Sequence, residues 1–258
     1  MAVRGERILA AAAAATGGRR FRDRIVEQAA EYWSTPGSSG WEANSHWRSG
    51  IGDQAWLEVG DDHWTMYETF ARALQLPEPH TVIDWGAGGG ANAVAFAPHA
   101  QRFIAADVSQ DNLDECVRQV QATCATPIET RLIDLACPER AVAGLADSCD
   151  VFLCLYVIEL TSGIDAVRAI LTNAQTVLAP GGLALVQIKY HTSDGRTRGR
   201  AGLTYGRNLA STTTFAIDEF WHLATECGLI PRLVTLVPEN RLDCRYAYFA
   251  LTTPVGSA

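Results

Sequence analysis

Apolar residues recur along this chain in two patterns that predict different elements. In runs such as Val151-Phe-Leu-Cys-Leu-Tyr-Val-Ile nearly every position is apolar, which is typical of strands buried on both faces. Strands are predicted at 81–85, 102–107, 128–133, 149–156, 182–188, 230–237 and 245–252. Helices are predicted between them, near 90–97, 110–124, 163–178 and 217–227. This alternation predicts an α/β fold with a mainly parallel sheet and helices on both faces.

The N-terminal part of the chain has a different pattern. A helix is predicted over 21–33, because apolar residues recur near every fourth position, at Phe21, Ile25, Ala29 and Trp33. A loop rich in Ser, Gly and Asn is predicted from 34 to 53. A second helix is predicted to begin after Asp61 or Asp62, either of which can cap it, and to run to about residue 76.

The last two predicted strands are close together in the sequence. The connection 238–244 is too short for a crossover helix, whereas an antiparallel hairpin needs only a few residues. The sheet is therefore expected to end with an antiparallel strand.

Composition limits the classes of function. A formal net charge of -8 argues against general affinity for nucleic acids or anionic membranes. The 7 cysteines form no C-x-x-C pair and the 6 histidines have no metal-ligand spacing, so no metal site is expected. The basic and alanine-rich start faintly resembles a signal peptide, but the rest of the chain is typical of an intracellular enzyme, and a cytoplasmic location is expected.

A glycine-rich segment follows the first predicted strand. Asp84, Gly86, Gly88 and Gly90 form the pattern D-x-G-x-G-x-G, immediately before a helix. Glycine allows positive φ and close approach to a ligand, and a helix start offers unpaired N–H groups. The segment therefore predicts a cradle for a polar cofactor at the carboxyl end of a strand.

Two classes of cofactor are consistent with this loop. Gly86-x-Gly88-x-x-Ala91 also fits a dinucleotide fingerprint, and Asp107, 21 residues after Gly86, could hold a ribose of either cofactor. The charge of Asp84 would repel a pyrophosphate but attract an ammonium or sulfonium group. Asp134, which ends the third strand, could accept from an exocyclic amine. An NAD(P)-dependent oxidoreductase is therefore the alternative, and a non-catalytic cofactor-binding protein is a further one.

The ordered set of motifs resembles the class I S-adenosylmethionine-dependent methyltransferases of the small-molecule type. The resemblance covers residues 62–258 and rests on the glycine motif, Asp107, Asp134, the fourth strand and Pro180-Gly-Gly, in this order. It implies a Rossmann-like sheet of seven strands in the order 3-2-1-4-5-7-6, with strand 7 antiparallel. The expected organisation is a flexible tail at 1–20, a helical cap or lid at 21–76 and a domain that binds S-adenosylmethionine at 77–258.

The resemblance also implies roles for particular residues. Gly86, Gly88 and Gly90 would pass close to the methionine part of the cofactor, and Asp107 would bind its ribose hydroxyls. Three residues are expected beside the adenine, namely Asp134, Ile133 and Leu135.

A methyltransferase chiefly has to align its acceptor with an already reactive donor, and a base is needed only if the acceptor must lose a proton. The candidate catalytic residues, which are expected to face the acceptor and could include such a base, are Tyr156, Glu159, Tyr190, His191 and His63. The resemblance implies a small acceptor, and an apolar or aromatic one is expected because five of the seven tryptophans fall within residues 33–64. Trp47, Trp64 and Tyr67 are the predicted substrate lid.

A basic run lies within residues 189–208, where Asp194 is the single opposing acid. It consists of Lys189, Arg196, Arg198, Arg200 and Arg207. The run is either a solvated loop or a site for an acceptor carboxylate or phosphate.

Overall fold

The computed structural model describes residues 24–33, 47–199, 212–237 and 245–254. The predicted tail at 1–20, the connection 238–244 and the side chains of Arg200 and Arg207 lie outside the described residues.

One sheet of seven strands organises the described chain. Its strands are β1 (Thr81–Trp85), β2 (Arg102–Asp107), β3 (Ile128–Leu132), β4 (Cys149–Cys154), β5 (Leu178–Lys189), β6 (Ile230–Leu236) and β7 (Tyr246–Thr252). The order is β3-β2-β1-β4-β5-β7-β6. The strands from β1 to β5 pair in parallel, whereas β7 is antiparallel to both β5 and β6. The predicted strand order and C-terminal hairpin are confirmed.

Seven α-helices accompany the sheet in the described ranges. They are α1 (24–33), α2 (Arg48–Ile51), α3 (Asp53–Leu74), α4 (Ala91–Phe96), α5 (Gln110–Thr123), α6 (Ile164–Val177) and α7 (Ile217–Glu226). The side chain of Ser109 accepts a hydrogen bond from the backbone amide of Asn112 and caps α5. No helix among the described residues is long and apolar enough to cross a membrane.

The sheet separates two hydrophobic cores. Ile83 and Phe152 contribute to one core, which packs against α6 and α7. Their neighbours Val82 and Leu153 contribute to the other, which packs against α3, α4 and α5. Because successive side chains of a strand point to opposite faces, a sheet covered on both sides needs apolar residues at consecutive positions. This explains the continuous apolar runs in the sequence.

The second N-terminal helix is longer than predicted. It begins at Asp53, about nine residues before the predicted start, and the short helix α2 precedes it. The start was predicted too late because glycine is unfavourable within a helix, and Gly52 and Gly60 lie at and after the true start. Gly60 is required by packing, because a Cβ there would lie 2.3 Å from the carbonyl oxygen of Ala91 on α4. The glycine thus permits close approach of α3 and α4 rather than ending a helix.

Two strand boundaries also differ from prediction. β4 ends at Cys154 rather than 156, and β5 begins at Leu178 rather than 182. The Pro180-Gly-Gly segment, which introduces the predicted strand, is therefore part of β5. The register between β4 and β5 shifts between Cys149 and Val151, which accommodates this segment.

Candidate active site

The glycine loop connects β1 to α4, and three of its glycines have positive φ angles. Gly86, Gly88 and Gly90 have φ values of 83°, 51° and 94°. A Cβ at Gly86 would lie 2.3 Å from Cγ2 of Val157, and one at Gly90 would lie 3.0 Å from Cα of Cys116. The loop therefore requires glycine for both backbone conformation and space.

Asp107 is the last residue of β2, and its carboxylate holds the glycine loop by accepting hydrogen bonds. Its Oδ2 accepts the Gly88 amide at 2.9 Å, while Oδ1 accepts the Ser109 amide and the Asn112 Nδ2 group, each at 2.9 Å. Burial raises the pKa of Asp107, although the bonds from Asn112, Ser109 and Gly88 oppose the rise. Oδ2 retains acceptor capacity, since a carboxylate offers about four lone-pair positions.

Asp84 lies at the carboxyl end of β1 and is fully buried. Within the described chain, neither of its carboxylate oxygens is in hydrogen-bonding geometry with a donor. Burial raises the pKa of Asp84 to about 7; the Asn92 amide opposes this rise and the charge of Asp107 adds to it. The carboxyl is therefore poised to change its charge when a cation arrives.

A cavity of about 710 Å³ opens at the carboxyl ends of the parallel strands. The glycine loop and Asp107 form one wall, and residues 155–157 after β4 form another. The first turn of α6 and the segment before it, 161–166, also line the cavity. The volume lies within the range of about 300–1,000 Å³ that is typical of small-molecule sites.

Helix α1 covers part of this cavity. Val26, Ala29 and Trp33 line it. Ile25, Ala29 and Trp33 also pack against Val108, Leu135 and Leu160, among others. The N-terminal segment is thus part of the cavity wall.

Comparison with known protein families gives a match over the same region. Residues 82–182, from β1 into β5, match the methyltransferase domain family. This match, the strand order and the glycine loop agree with one another. The chain carries a methyltransferase domain, and its sheet has the strand order of the class I S-adenosylmethionine-dependent methyltransferases. The resemblance stated from the sequence is confirmed, and no curated protein sequence matches the chain.

Solved structures share the fold of this methyltransferase domain at low sequence identity. An N-methyltransferase, NodS of Bradyrhizobium japonicum, in complex with S-adenosylhomocysteine, is 16% identical with a TM-score of 0.56, covering 75% of this chain and 86% of its own. The 1,6-didemethyltoxoflavin-N1-methyltransferase of Burkholderia thailandensis is 19% identical with a TM-score of 0.56, covering 78% and 80%. An S-adenosylmethionine-dependent methyltransferase of Leishmania major is 17% identical with a TM-score of 0.62, covering 88% and 82%.

The residues expected near the adenine divide into two groups. Ile133 and Leu135 line the cavity of the methyltransferase domain, whereas Asp134 is not among its described lining residues. The Asp134 carboxylate accepts the Ala136 amide at 2.9 Å and lies 3.8 Å from Arg140 Nη1. In this arrangement Asp134 caps a turn at the rim of the site.

Three of the five acceptor-side candidates lie together. Tyr156 lines the cavity, and its ring centroid is 5.3 Å from that of His63 and 5.4 Å from that of Tyr246. The Tyr246 hydroxyl donates to Oε1 of Glu159 at 2.9 Å. His63 and Glu159 are both buried and are not among the described cavity-lining residues; His63 contacts the Tyr156 ring directly, and Glu159 is connected to it through Tyr246.

The other two candidates lie beyond the end of β5. Tyr190 forms an isolated β-bridge with Phe215, and its carbonyl oxygen accepts a hydrogen bond from the Arg245 side chain. His191 lies 3.2 Å from Thr214 Oγ1 and 3.4 Å from Glu219 Oε2. Neither is among the described residues that line the cavity.

The predicted lid residues also occupy two places. The Trp47 indole donates to Asn112 Oδ1 at 2.6 Å and covers Gly89, on the outer side of the glycine loop. Trp64 packs against Tyr67, Phe96 and His99, and none of the three lid residues is among the described cavity-lining residues. In the described part of the basic run, Lys189 lies over the Tyr246 ring, and Arg196 and Arg198 are not cavity-lining residues.

Several residues at the site were not predicted from the sequence. Trp33 was recognised only as an apolar position of the N-terminal helix and as part of the tryptophan cluster. Asn92 and Asn112 line the cavity and link the loop to its neighbours, and residues 161–165 form its rim. Asparagine side chains carry no characteristic spacing, so the available signal was only that both follow a predicted helix start.

Proposed function

We propose that this methyltransferase acts on a small, neutral acceptor of apolar or aromatic character. The observation that carries the proposal is the cavity itself, which is lined mainly by apolar residues and is covered by α1. A macromolecular acceptor would have to displace this helix. We also propose that residues 21–76 act as a cap on the cofactor-binding domain at 77–258.

The residues present fit the cofactor of this family. The backbone of Gly86 and Gly88 would support its methionine part, and Oδ2 of Asp107 would accept a ribose hydroxyl. Ile133 and Leu135 would pack against the adenine. When bound, S-adenosylmethionine supplies an activated methyl group, so the protein does not need to activate the donor.

The chain itself has to orient the acceptor and exclude water. Apolar walls and α1 exclude water, while Tyr156 and Thr161 offer polar groups to the acceptor. Alignment of this kind can contribute several kcal/mol to lowering the barrier. His63 and Glu159, which are connected to Tyr156 directly or through Tyr246, would tune this wall rather than contact the acceptor directly.

The charge of the cavity favours a neutral acceptor. Among the described lining residues the ionisable side chains are Asp107, Asp165 and Tyr156, and none is a lysine, arginine or histidine. None of the described lining residues would offer a cationic partner to offset the desolvation of an acceptor carboxylate or phosphate.

We therefore expect neutral acceptors to be preferred over their acidic analogues. A panel of phenols and aromatic amines is assayed beside matched compounds that carry one added carboxylate, with methyl transfer followed by mass spectrometry. The neutral member of each active pair should have at least about tenfold higher kcat/KM, since one unpaired charge costs more than about 1.4 kcal/mol. Preference for the carboxylated members would instead support acceptor recognition by the basic run.

Replacing Asp107 with Asn tests the cofactor site. The amide keeps one acceptor oxygen, so it loses either the Gly88 and ribose contacts, both made at Oδ2, or the Ser109 and Asn112 contacts, both made at Oδ1. Binding of S-adenosylhomocysteine, measured by calorimetry, should weaken about 10- to 100-fold, as expected for a charge-assisted hydrogen bond of about 1.5–3 kcal/mol.

Asp150→Asn is the matched control for this measurement. Asp150 also accepts two backbone amides, those of His80 and Thr81, but at the opposite end of β1. It should leave the affinity unchanged. Titration of NADH in parallel tests the oxidoreductase alternative, and cofactor binding without turnover of any acceptor would support a non-catalytic protein.

A further inference from the structure

Tyr156 has an unusual backbone conformation at a functional position. Its φ is 56°, in the left-handed region that bulky residues rarely adopt. Four non-glycine residues in the described ranges have positive φ, and of these Tyr156 lines the cavity. Strain of this kind persists only where the surrounding structure fixes it, and it is concentrated at functional sites.

The amide of Tyr156 is held from the sheet. Its N–H donates to Oε1 of Gln187 on β5 at 2.8 Å. The Gln187 amide in turn donates to the Tyr248 hydroxyl on β7 at 3.2 Å. Gln187 is fully buried and Tyr248 is nearly so. A buried polar chain therefore ties the segment after β4 to β5 and, through Gln187, to β7.

The ring of Tyr156 is held from the helical side. The His63 ring, on α3, lies between those of Tyr156 and Tyr248, with centroid distances of 5.3 and 5.5 Å. His63 Nδ1 lies 2.7 Å from Oδ1 of Asn92 on α4, which fixes the orientation of the imidazole. Four elements of structure, β5, β7, α3 and α4, thus hold one tyrosine, either directly or through a neighbouring side chain.

We propose that Asn92, His63, Gln187 and Tyr248 are positioning residues that hold Tyr156 in the conformation that orients the methyl acceptor. These four residues are called the Tyr156 clamp. The proposal rests on the proposed function, since it assigns the acceptor side of the cavity to Tyr156. The clamp is needed because the strained backbone, left alone, would relax and move the ring.

A double-mutant cycle tests the clamp without any substrate. Urea unfolding is measured for the wild type, Gln187→Leu, Tyr156→Gly and the double variant. Glycine adopts positive φ freely, so the Gln187 contact is less needed when residue 156 is glycine. The factor by which Gln187→Leu lowers the folding equilibrium constant should therefore be at least fivefold smaller in the Tyr156→Gly background than in the wild type. Gln119→Leu is the matched control; this buried glutamine donates to Glu115 on α5, and its cost should be equal in both backgrounds.

Kinetics then test the functional part. With the best acceptor of the neutral panel, Gln187→Leu should lower kcat about tenfold while the Kd of S-adenosylhomocysteine stays within twofold. Tyr248→Phe keeps the ring and removes one hydroxyl, and it should also lower kcat. It replaces Gln187→Leu in this test if that variant folds poorly. Equal costs in the two backgrounds of the cycle, or a parallel loss of cofactor affinity and kcat, would overturn the proposal. If the wild type itself bound no S-adenosylhomocysteine, the proposed function would fail, while the cycle would still report on the clamp.

Discussion

Replacing Asp84 with Asn is expected to remove a large part of the pH dependence of stability between about pH 4 and pH 7. The folded-state pKa of Asp84 is raised to about 7 from an ordinary value of 3.8, chiefly by burial. The stability that this carboxyl contributes is therefore fully present below about pH 4, where both states are protonated, and is lost as the pH rises through 7. At about 1.4 kcal/mol per unit, the loss reaches at most about 4 kcal/mol.

The measurement is urea unfolding at pH 5, 6, 7 and 8 without cofactor. The wild type should become steadily less stable, whereas Asp84→Asn should be less dependent on pH and more stable than the wild type at pH 8. Asp61→Asn, which neutralises an exposed aspartate on α3, is the control and should follow the wild type. An unchanged slope in Asp84→Asn would mean that the buried carboxyl is solvated in solution.

The fold could be predicted because its signals are local. The apolar runs of β1 and β4, the glycines after β1 and the short distance between the last two strands each lie within about ten residues. Each fixes an element or a connection, and the right-handed crossover of parallel strands leaves few arrangements for the whole. The strand order followed from the family resemblance that these signals supported.

The acceptor side of the site could not be derived in this way. His63 and Asn92 are 29 residues apart and meet only because α3 packs closely on α4 through Gly60. The sequence likewise placed Tyr156 and Tyr190 in one set, since both follow strands. The structure separates them, because β5 continues to Lys189 and carries Tyr190 past the cavity. Tertiary packing, rather than the residue types, decides which of these side chains line the cavity.

Gly86→Ala is expected to impair both folding and cofactor binding. Alanine at a φ of 83° is strained, and its Cβ would lie 2.3 Å from Cγ2 of Val157, whose β-branched side chain has little freedom to rotate. Backbone strain of about 1–2 kcal/mol and overpacking of about 1–3 kcal/mol together predict a loss of about 2–5 kcal/mol in the free energy of unfolding. Because the clash displaces the loop, binding of S-adenosylhomocysteine should weaken more than about tenfold.

Gly144→Ala separates the two contributions to this effect. Gly144 has nearly the same φ, 78°, but a Cβ there would meet nothing within 4 Å. The control should therefore show only the strain, about 1–2 kcal/mol, with unchanged cofactor affinity. If both variants lose equal stability, Val157 must move aside at little cost, and the glycine at 86 is required by its backbone angle alone. If Gly86→Ala retains full affinity for S-adenosylhomocysteine, the close approach of the loop to the cofactor is not needed for binding.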